Sequence, residues 1–264
     1  MCRNPYVPQI SQVLDIHRET AVDWTFRLAW DAEPAAGQFF EVSLPGLGEA
    51  PISVSDFGPG YIEMTIRKVG RVTGGLFALA PGERLFLRGP YGCGFPLERF
   101  AGRHLVIAAG GTGVAPVKPV IKHFLSHGEG LAGLDVLIGF KSPHDILFRQ
   151  EVLAWQSRAG VVLTVDHAEA GWTGPVGLVT QTIPDLPLPD KANVAAIVVG
   201  PPAMMKHTIA ALQARGLQGD QIWVSYERRM SCGLGKCGHC KINDKYVCLE
   251  GPVFSFAQAQ GLKD

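Results

Sequence analysis

Long apolar runs are absent from the 264-residue sequence. A bilayer-spanning helix needs roughly 18 consecutive apolar residues. The longest apolar runs here, around Leu105 to Ala109 and Ala195 to Val199, have only the length of buried strands. The first residues, M-C-R-N-P-Y, also lack an apolar signal core. We therefore expect no membrane span and a cytoplasmic location.

Net charge is absent as well. Lys and Arg together number 24, as do Asp and Glu, and this balance argues against the basic surface of a nucleic-acid-binding protein. The sequence has no internal repeat or low-complexity linker, and its 47 % hydrophobic content is that of a globular chain. A chain of this length can form two domains with cores of their own and one small module.

Cysteine is scarce outside one stretch. Cys2 and Cys93 stand alone, with no partner spacing. In a reducing compartment, four thiols that lie close together are expected to hold metal rather than to form two disulfides. The other four of the six cysteines fall in C-G-L-G-K-C-G-H-C-K-I-N-D-K-Y-V-C at spacings of x4, x2 and x7, namely Cys232, Cys237, Cys240 and Cys248.

The spacing favours an iron–sulfur cluster over zinc. C-x4-C-x2-C followed by a further cysteine is the plant-type arrangement for a [2Fe-2S] cluster, whereas a zinc ribbon usually pairs two C-x2-C knuckles. Gly233, Gly235 and Gly238 agree with a cluster loop, which needs positive φ angles and N–H groups turned towards sulfur. The x7 gap is compact for the plant type, so we expect a small finger, with His239 as a neighbour rather than a ligand. Structural zinc and free, redox-sensing thiols remain the alternatives.

Residues 1–100 contain short runs with period-two alternation, separated by Gly and Pro. The runs are Q-V-L-D-I-H, W-T-F-R-L-A-W, Q-F-F-E-V-S-L, I-S-V-S-D, Y-I-E-M-T-I-R and R-L-F-L-R-G. This pattern predicts an antiparallel barrel or sandwich of about six strands. A short helix is expected in T-G-G-L-F-A-L-A, with Thr73 as its N-cap.

Residues 101–225 alternate apolar strands with helices. The strand candidates are H-L-V-I-A-A, L-D-V-L-I-G-F, V-V-L-T-V-D, A-A-I-V-V-G and Q-I-W-V-S-Y. Helices are expected after the first strand through Phe124, over Leu147 to Ser157, and over Met204 to Arg215. This order predicts an α/β domain with a parallel sheet. The change of period places the boundary near residue 101.

Glycine-rich turns at strand ends mark a candidate nucleotide site. In A-G-G-T-G-V-A-P, glycine lets the backbone approach a pyrophosphate, and the following helix N-terminus supplies N–H donors. Tight packing is the alternative explanation of this weak fingerprint. G-F-K and G-P-P-A-M end two other strands at the same carboxyl edge, where open α/β sheets bind ligands. The candidate residues are Gly110, Gly111, Thr112, Gly113, Val114, Pro116, Gly139, Lys141, Gly200, Pro201 and Met204.

Two stretches of the expected barrel suit a phosphate-containing cofactor. P-I-S-V offers backbone groups and a hydroxyl on a strand, and R-K-V-G-R-V-T-G joins basic side chains to a Gly/Thr turn at a helix start. An exposed strand with solvated charges is the alternative. The candidate residues are Pro51, Ile52, Ser53, Val54, Arg67, Lys68, Val69, Gly70, Val72, Thr73 and Gly74.

Together these motifs resemble the ferredoxin reductase-like flavoproteins, and among them the branch that ends in a [2Fe-2S] finger. That branch includes the electron-transfer subunit of dihydroorotate dehydrogenase and the gamma subunits of soluble hydrogenases. The resemblance is greatest to the B subunits of anaerobic sulfite reductases. The stretches that carry it are G-E-A-P-I-S-V-S-D, A-G-G-T-G-V-A-P-V-K, A-I-V-V-G-P-P, Q-I-W-V and Y-E-R-R-M-S-C-G-L-G-K-C-G-H-C.

The resemblance implies three parts: an FAD-binding barrel over residues 1–100, an NAD(P)-binding α/β domain over 101–225, and a cluster-binding segment over 226–264. A hydride from the nicotinamide would reduce the flavin, which would pass single electrons to the cluster and on to a partner subunit. Because the cofactors hold this chemistry, the chain needs no catalytic acid or base.

One position departs from the family pattern. Many relatives have an arginine immediately before the Pro-x-Ser of the flavin strand, where this chain has Ala50. The sulfite reductase and hydrogenase branches resemble this chain in having the alanine, so flavin binding is expected to be kept. Arg67 or Lys68 is expected to supply the missing charge.

The resemblance also implies an acceptor, which would be an iron–sulfur and sirohaem partner that reduces sulfite. The diaphorase (gamma) subunit of a soluble NAD(P)-linked NiFe hydrogenase is an alternative of the same class. A zinc-finger docking subunit with vestigial nucleotide sites is an alternative of a different class.

The nucleotide is expected to be NADH, with NADPH possible. A 2′-phosphate usually needs an arginine or a similar cation beyond a strand end. G-F-K-S-P-H-D offers only Lys141 before Arg149, and V-D-H-A-E-A is acidic.

Overall fold

The computed structural model describes residues 4–127, 130–188 and 190–262, so Cys2 lies outside the described residues. The chain divides into two compact units. The first comprises the residues up to Phe95 together with Tyr226–Val253, and the second comprises Pro96–Ser225 with Phe254–Leu262. None of the helices in the described ranges is long and apolar enough to cross a bilayer.

A closed barrel forms the body of the first unit. Its strands are β1 (Gln9–Arg18), β2 (Asp23–Ala29), β3 (Phe39–Leu44), β4 (Gly48–Gly58), β5 (Tyr61–Arg67) and β6 (Arg84–Tyr91). They neighbour one another in the order β1-β2-β5-β4-β3-β6, and every pair is antiparallel. The predicted barrel of about six strands is confirmed.

Alternation along these strands places one set of side chains inside the barrel, because successive residues of a strand face opposite sides. The interior excludes water almost completely and fixes the register of each strand. Its buried residues include Phe26, Leu28, Phe40, Val42, Val54, Ile62, Met64, Ile66, Leu85 and Leu87.

The short helix of the barrel, α1 (Arg71–Leu76), begins two residues before the expected N-cap. Gly70 takes the N-cap position, and Thr73 lies inside the first turn. The Thr73 hydroxyl accepts from the N–H groups of Val69 at 3.0 Å and Gly70 at 2.9 Å. Thr73 therefore stabilises the helix start from within, as the N3 residue of a capping box does.

A six-stranded sheet forms the body of the second unit. In chain order its first elements are β7 (His104–Gly110), α2 (Val114–His127), β8 (Gly133–Phe140), α3 (Arg149–Gln156), β9 (Gly160–Val165), β10 (Val194–Val199), α4 (Pro202–Ala214) and β11 (Ile222–Ser225). These five strands pair in parallel. The predicted parallel-sheet domain is confirmed. Phe148, which was expected inside the second helix, precedes it at a positive φ of 54°.

The chain after Ser225 contains the cysteine-rich loop and then returns to the sheet. The loop ends in the hairpin β12 (Lys241–Ile242) and β13 (Lys245–Tyr246), followed by α5 (Val247–Glu250). A last short strand, β14 (Val253–Ser255), lies beside β11, and α6 (Phe256–Ala259) follows it. The sheet order is therefore β14-β11-β10-β7-β8-β9. Because the chain leaves β7 on one side and returns at β10 on the other, the carboxyl ends of β7 and β10 form a topological switch point.

Candidate cofactor sites

Backbone donors surround the sulfur atoms of the cysteine-rich loop. The N–H groups of Leu234 and Lys236 donate to Cys232 Sγ at 3.3 and 3.4 Å, and the N–H of Gly235 donates to Cys248 Sγ at 3.2 Å. Positive φ angles turn these donors inwards, since Gly233, Gly235 and Gly238 have φ of 69°, 66° and 82°. N–H donors aimed at sulfur stabilise thiolate ligands, as an iron–sulfur site requires.

The four thiols are arranged as two pairs. The thiols of Cys237 and Cys232 affect each other's titration, as do those of Cys248 and Cys240. In the chain as described, no three His, Cys, Asp or Glu side chains are grouped as ligands of one metal ion. A [2Fe-2S] cluster takes two protein ligands on each of its two irons, so a paired arrangement fits it.

The two pairs differ in burial and in acidity. Cys240 and Cys248 are buried, whereas Cys237 is exposed. Burial raises the pKa of the Cys248 thiol to about 12, so its thiolate needs a compensating cation such as iron. The N–H of His239 lowers the pKa of the exposed Cys237 thiol. The His239 side chain itself is exposed.

The predicted flavin strand is the central part of β4. Pro51, Ile52 and Ser53 are half-buried, whereas Val54 is fully buried in the barrel core. Val54 can therefore meet a cofactor only through its backbone. At the predicted phosphate turn, a Cβ added to Gly70 or Gly74 would meet no heavy atom within 4 Å. This open face leaves room for a cofactor beside the start of α1.

The basic residues near this turn have different partners. Arg67 binds the buried carboxylate of Asp23 through two bonds, Nε to Oδ1 at 2.8 Å and Nη2 to Oδ2 at 2.9 Å. Lys68 extends its ammonium group over the Phe77 ring, 5.8 Å from the centroid. Arg71 is exposed and donates to the carbonyl of Gly46 at 2.8 Å. Asp23 therefore already holds the fork of Arg67, which is one of the two residues expected to supply the charge missing at position 50.

The second unit brings two of the predicted nucleotide turns into contact. A Cβ added to Gly110 would lie 3.1 Å from Pro201 Cδ and 3.4 Å from Met204 Sδ. A Cβ on Gly113 would lie 2.5 Å from the carbonyl oxygen of Val199. Gly111 differs, because it has φ of 54° and faces open space. Packing thus explains two of these glycines, and Gly111 lines the open side that a pyrophosphate could approach.

The other predicted nucleotide residues divide by burial. The side chains of Val114 and Pro116 are buried, so only their backbone can face a ligand, whereas Thr112 is half-buried. Gly139 packs against Val179, since an added Cβ would lie 3.0 Å from Val179 Cβ. Lys141 is exposed beyond the end of β8.

The loops after β8 and β9 meet at the carboxyl edge of the sheet, where the sequence predicts discrimination between NADH and NADPH. His144 Nε2 lies 2.7 Å from Glu169 Oε2, and the backbone N–H of His167 donates to the Lys141 carbonyl at 2.9 Å. The guanidinium of Arg149 bonds to the carbonyl of Pro143. The sequence order alone did not show that Arg149 returns to this loop.

Sequence reasoning missed a charged cluster between the barrel and the cysteine loop. Glu41 on β3 is fully buried, and neither of its carboxylate oxygens has a hydrogen-bond partner. Arg88 lies opposite it on β6 and binds Glu49. Removal from water, together with the neighbouring charges of Glu49 and Cys232, raises the pKa of Glu41 to about 7, although Arg88 lowers it. No local motif marks this cluster, because its members come from separate strands.

The raised pKa of Glu41 predicts how stability depends on pH. The folded protein holds the Glu41 proton up to about pH 7, whereas the unfolded chain releases it near 4.5. Stability is therefore lost as the pH rises between these values. As the pH rises from about 5 to about 8, the free energy of unfolding of Glu41→Gln should increase relative to that of the wild type by on the order of 2 kcal/mol. This follows from about 1.4 kcal/mol per pKa unit. Thermal unfolding of both proteins across this range measures it, and a difference that did not change with pH would contradict it.

Two family models match parts of this chain. A model described as an oxidoreductase NAD-binding domain matches residues 107–209. A model described as the iron-sulfur cluster binding domain of dihydroorotate dehydrogenase B matches residues 227–260. These matches cover the glycine turns and the cysteine loop respectively.

Several relatives match along nearly the whole chain. The chain is 34 % identical to the sulfhydrogenase 1 gamma subunit of Pyrococcus furiosus, over 96 % of this chain and 92 % of that one. It is 33 % identical to a probable electron transfer subunit of dihydroorotate dehydrogenase B (NAD(+)) from Methanothermobacter thermautotrophicus, over 94 % and 89 %. Among solved structures, an NADH-dependent reduced ferredoxin-NADP oxidoreductase shares the fold at a TM-score of 0.78 and 24 % identity, covering 94 % of this chain and 89 % of that chain.

The barrel, the parallel sheet and the NAD-binding match define an oxidoreductase of the ferredoxin reductase-like class. Within that class, the chain belongs to the family of electron-transfer subunits that includes the sulfhydrogenase gamma subunits and the electron transfer subunits of dihydroorotate dehydrogenase B. The fold and the two matched domains support FAD, NADH and an iron–sulfur cluster as its cofactors. The names of these relatives describe them as subunits.

Proposed function

We propose that the chain accepts electrons from NADH through FAD and passes them singly through a [2Fe-2S] cluster to a partner subunit of a cytoplasmic complex. The arrangement of four thiols as two pairs, with backbone N–H groups aimed at their sulfurs, is the observation that carries the proposal. Each pair supplies the two ligands of one iron. The ligands are Cys232 with Cys237 and Cys240 with Cys248.

The functional division follows the three predicted parts. Residues 1–100 bind FAD, 101–225 bind the nicotinamide nucleotide, and 226–264 bind the cluster. In the first part the backbone of Pro51–Val54 orients the flavin, and the Gly70–Gly74 turn holds its phosphates beside Lys68 and Arg71. The open face at the two glycines supports this assignment.

The chain itself binds, orients and separates the cofactors. When bound, they supply hydride transfer between nicotinamide and flavin and one-electron transfer at the cluster. Gly111, at the start of α2, offers the close backbone approach that a pyrophosphate needs. The buried Cys240 and Cys248 would shield a bound cluster from water, whereas Cys237 is exposed. Electrons would pass to a partner subunit on the side of Cys237. No side chain is assigned as a catalytic acid or base.

NADH is the proposed nucleotide. Lys141 is an exposed cation beyond β8, and lysine lacks the planar fork with which arginine reads a phosphate. Arg149, which is also exposed, bonds through its guanidinium to the Pro143 carbonyl of the same loop. The neighbouring loop contributes Glu169, whose carboxylate lies against His144. A carboxylate at this edge disfavours a 2′-phosphate by charge repulsion.

A sulfite-reducing partner is the proposed acceptor. The stretches G-E-A-P-I-S-V-S-D and Y-E-R-R-M-S-C-G-L-G-K-C-G-H-C, which resemble the anaerobic sulfite reductase branch, support it. That partner would carry iron–sulfur and sirohaem groups. Subunit gamma of a hydrogenase complex is the second candidate, favoured by the 34 % identity to two sulfhydrogenase gamma subunits.

Purification of the chain together with its native partners tests the function. We expect NADH-dependent sulfite reduction by the complex, with NADPH at least tenfold slower, because the Arg149 guanidinium is bonded to a backbone carbonyl and the Glu169 carboxylate repels a 2′-phosphate. Hydrogen evolution without sulfite reduction would assign the chain to the second candidate. A preference for NADPH that Lys141→Ala removed would overturn the choice of nucleotide.

A further inference from the structure

Arg88 makes hydrogen bonds with all of its side-chain donors and belongs to the group of charged side chains near Glu41. It lies on β6 and is only 6 % exposed. A guanidinium has five N–H donors in a planar fork. Two of them bind the Glu49 carboxylate, Nε to Oε2 at 3.1 Å and Nη2 to Oε1 at 2.7 Å. Glu49 immediately precedes Ala50 on β4, so this pair ties Arg88 to the predicted flavin strand.

The other three donors reach the cysteine loop and its support. Nη1 donates to the carbonyl of Cys232 at 2.8 Å, and Nη2 donates to the carbonyl of Ser231 at 2.8 Å. Nη1 also donates to the Tyr91 hydroxyl at 3.1 Å. Every donor of the buried Arg88 therefore has a partner, which is the condition under which a buried guanidinium is stable.

Tyr91 packs against the same loop at Gly233. A Cβ added to Gly233 would lie 2.5 Å from Tyr91 Cε2, so the ring packs directly against the backbone that follows Cys232. The positive φ of Gly233 then turns the chain so that the N–H groups of Leu234 and Lys236 point back at Cys232 Sγ. Arg88 and Tyr91 thus fix the backbone from which this sulfur and its donors project.

We propose that Arg88 is a positioning residue for electron transfer, holding the cluster loop against the flavin strand and placing a positive charge one peptide from a cluster ligand. This proposal rests on the proposed FAD and [2Fe-2S] cluster. Two consequences follow. A fixed distance between the strand and the loop keeps the flavin-to-cluster step fast, and the nearby positive charge favours the reduced, more negative cluster.

Arg88→Met removes both the fork and the charge, whereas Arg88→Lys keeps the charge but cannot make the five bonds. Arg84→Met is the matched control, because Arg84 lies on the same strand and is exposed. For each holoprotein, iron and flavin content, the cluster midpoint potential followed by EPR, and the stopped-flow rates of flavin and cluster reduction by NADH are measured.

We expect flavin reduction to stay within twofold of the wild type in all three variants. In Arg88→Met the midpoint potential of the cluster should become more negative. A shift of about 59 mV corresponds to a tenfold change in how one electron is distributed between flavin and cluster. Cluster reduction should slow at least tenfold in Arg88→Met. In Arg88→Lys it should slow with a smaller change of potential, and Arg84→Met should match the wild type.

Clear results would overturn the proposal. An Arg88→Met protein that holds iron and flavin and has the wild-type potential and rates would contradict it. If Arg88→Met lost its iron, the Arg88→Lys protein would be the test. A wild-type cluster potential and wild-type reduction rates in Arg88→Lys would also contradict the proposal. A wild-type protein without iron or flavin would instead refute the proposed function on which the inference rests.

Discussion

Cys240→Ser should abolish reduction of the cluster by NADH while reduction of the flavin survives. Cys240 is buried and lies with Cys248, so its loss removes one of the two proposed ligands of one iron. A serine oxygen is a harder and weaker ligand for iron than a thiolate. We expect the EPR signal of the NADH-reduced cluster to fall more than a hundredfold, about 3 kcal/mol on the scale of 1.4 kcal/mol per factor of ten.

The flavin provides the internal control in the same experiment. Its NADH-dependent bleaching should stay within about threefold of the wild type, because hydride transfer precedes the cluster. Cys93→Ser is the matched variant, since Cys93 is a free, exposed thiol of the same unit whose Sγ lies 3.2 Å from the Leu249 carbonyl. It should keep both signals. Wild-type iron content and EPR signal in Cys240→Ser would show that Cys240 is not a ligand.

Gly113→Ala should weaken the nicotinamide site and destabilise the second unit. The new Cβ would lie 2.5 Å from the Val199 carbonyl oxygen and 2.8 Å from its carbon, and both atoms belong to the backbone at the end of β10. Neither can rotate away, so β10 and the start of α2 must separate. We expect a loss of about 2–3 kcal/mol in unfolding free energy, the range of overpacked cores.

The same displacement moves the open face at Gly111 away from a bound pyrophosphate. The Kd for NADH, measured by the concentration dependence of flavin reduction, should rise at least tenfold. Gly130→Ala is the control in the same unit, because its added Cβ would meet nothing within 4 Å. An unchanged Kd and thermal midpoint in Gly113→Ala would mean that the two turns do not form the nucleotide site.

Local patterns were sufficient to predict the two main architectures. Period-two alternation, as in W-T-F-R-L-A-W, becomes β2, with Phe26 and Leu28 inside the barrel. Short apolar runs between glycine turns become the parallel strands, because a strand buried on both faces needs no alternation. The spacing of the four cysteines likewise marked the thiols that the structure brings together in pairs.

Contacts between distant residues could not be read in the same way. Arg67 was expected at a phosphate, but it binds Asp23, which lies 44 positions away on the neighbouring strand. The bonds from Arg88 go to backbone carbonyls of Ser231 and Cys232, and a carbonyl acceptor leaves no signature in the sequence. β14, with three residues, is too short for any periodicity to show.

Metal and EPR analysis of the purified wild-type protein tests the central claim most directly. Iron and acid-labile sulfide should each be present at about two per chain, together with one flavin. NADH alone should reduce both the flavin and an EPR-active cluster. One zinc per chain, with neither iron nor flavin colour, would contradict the account.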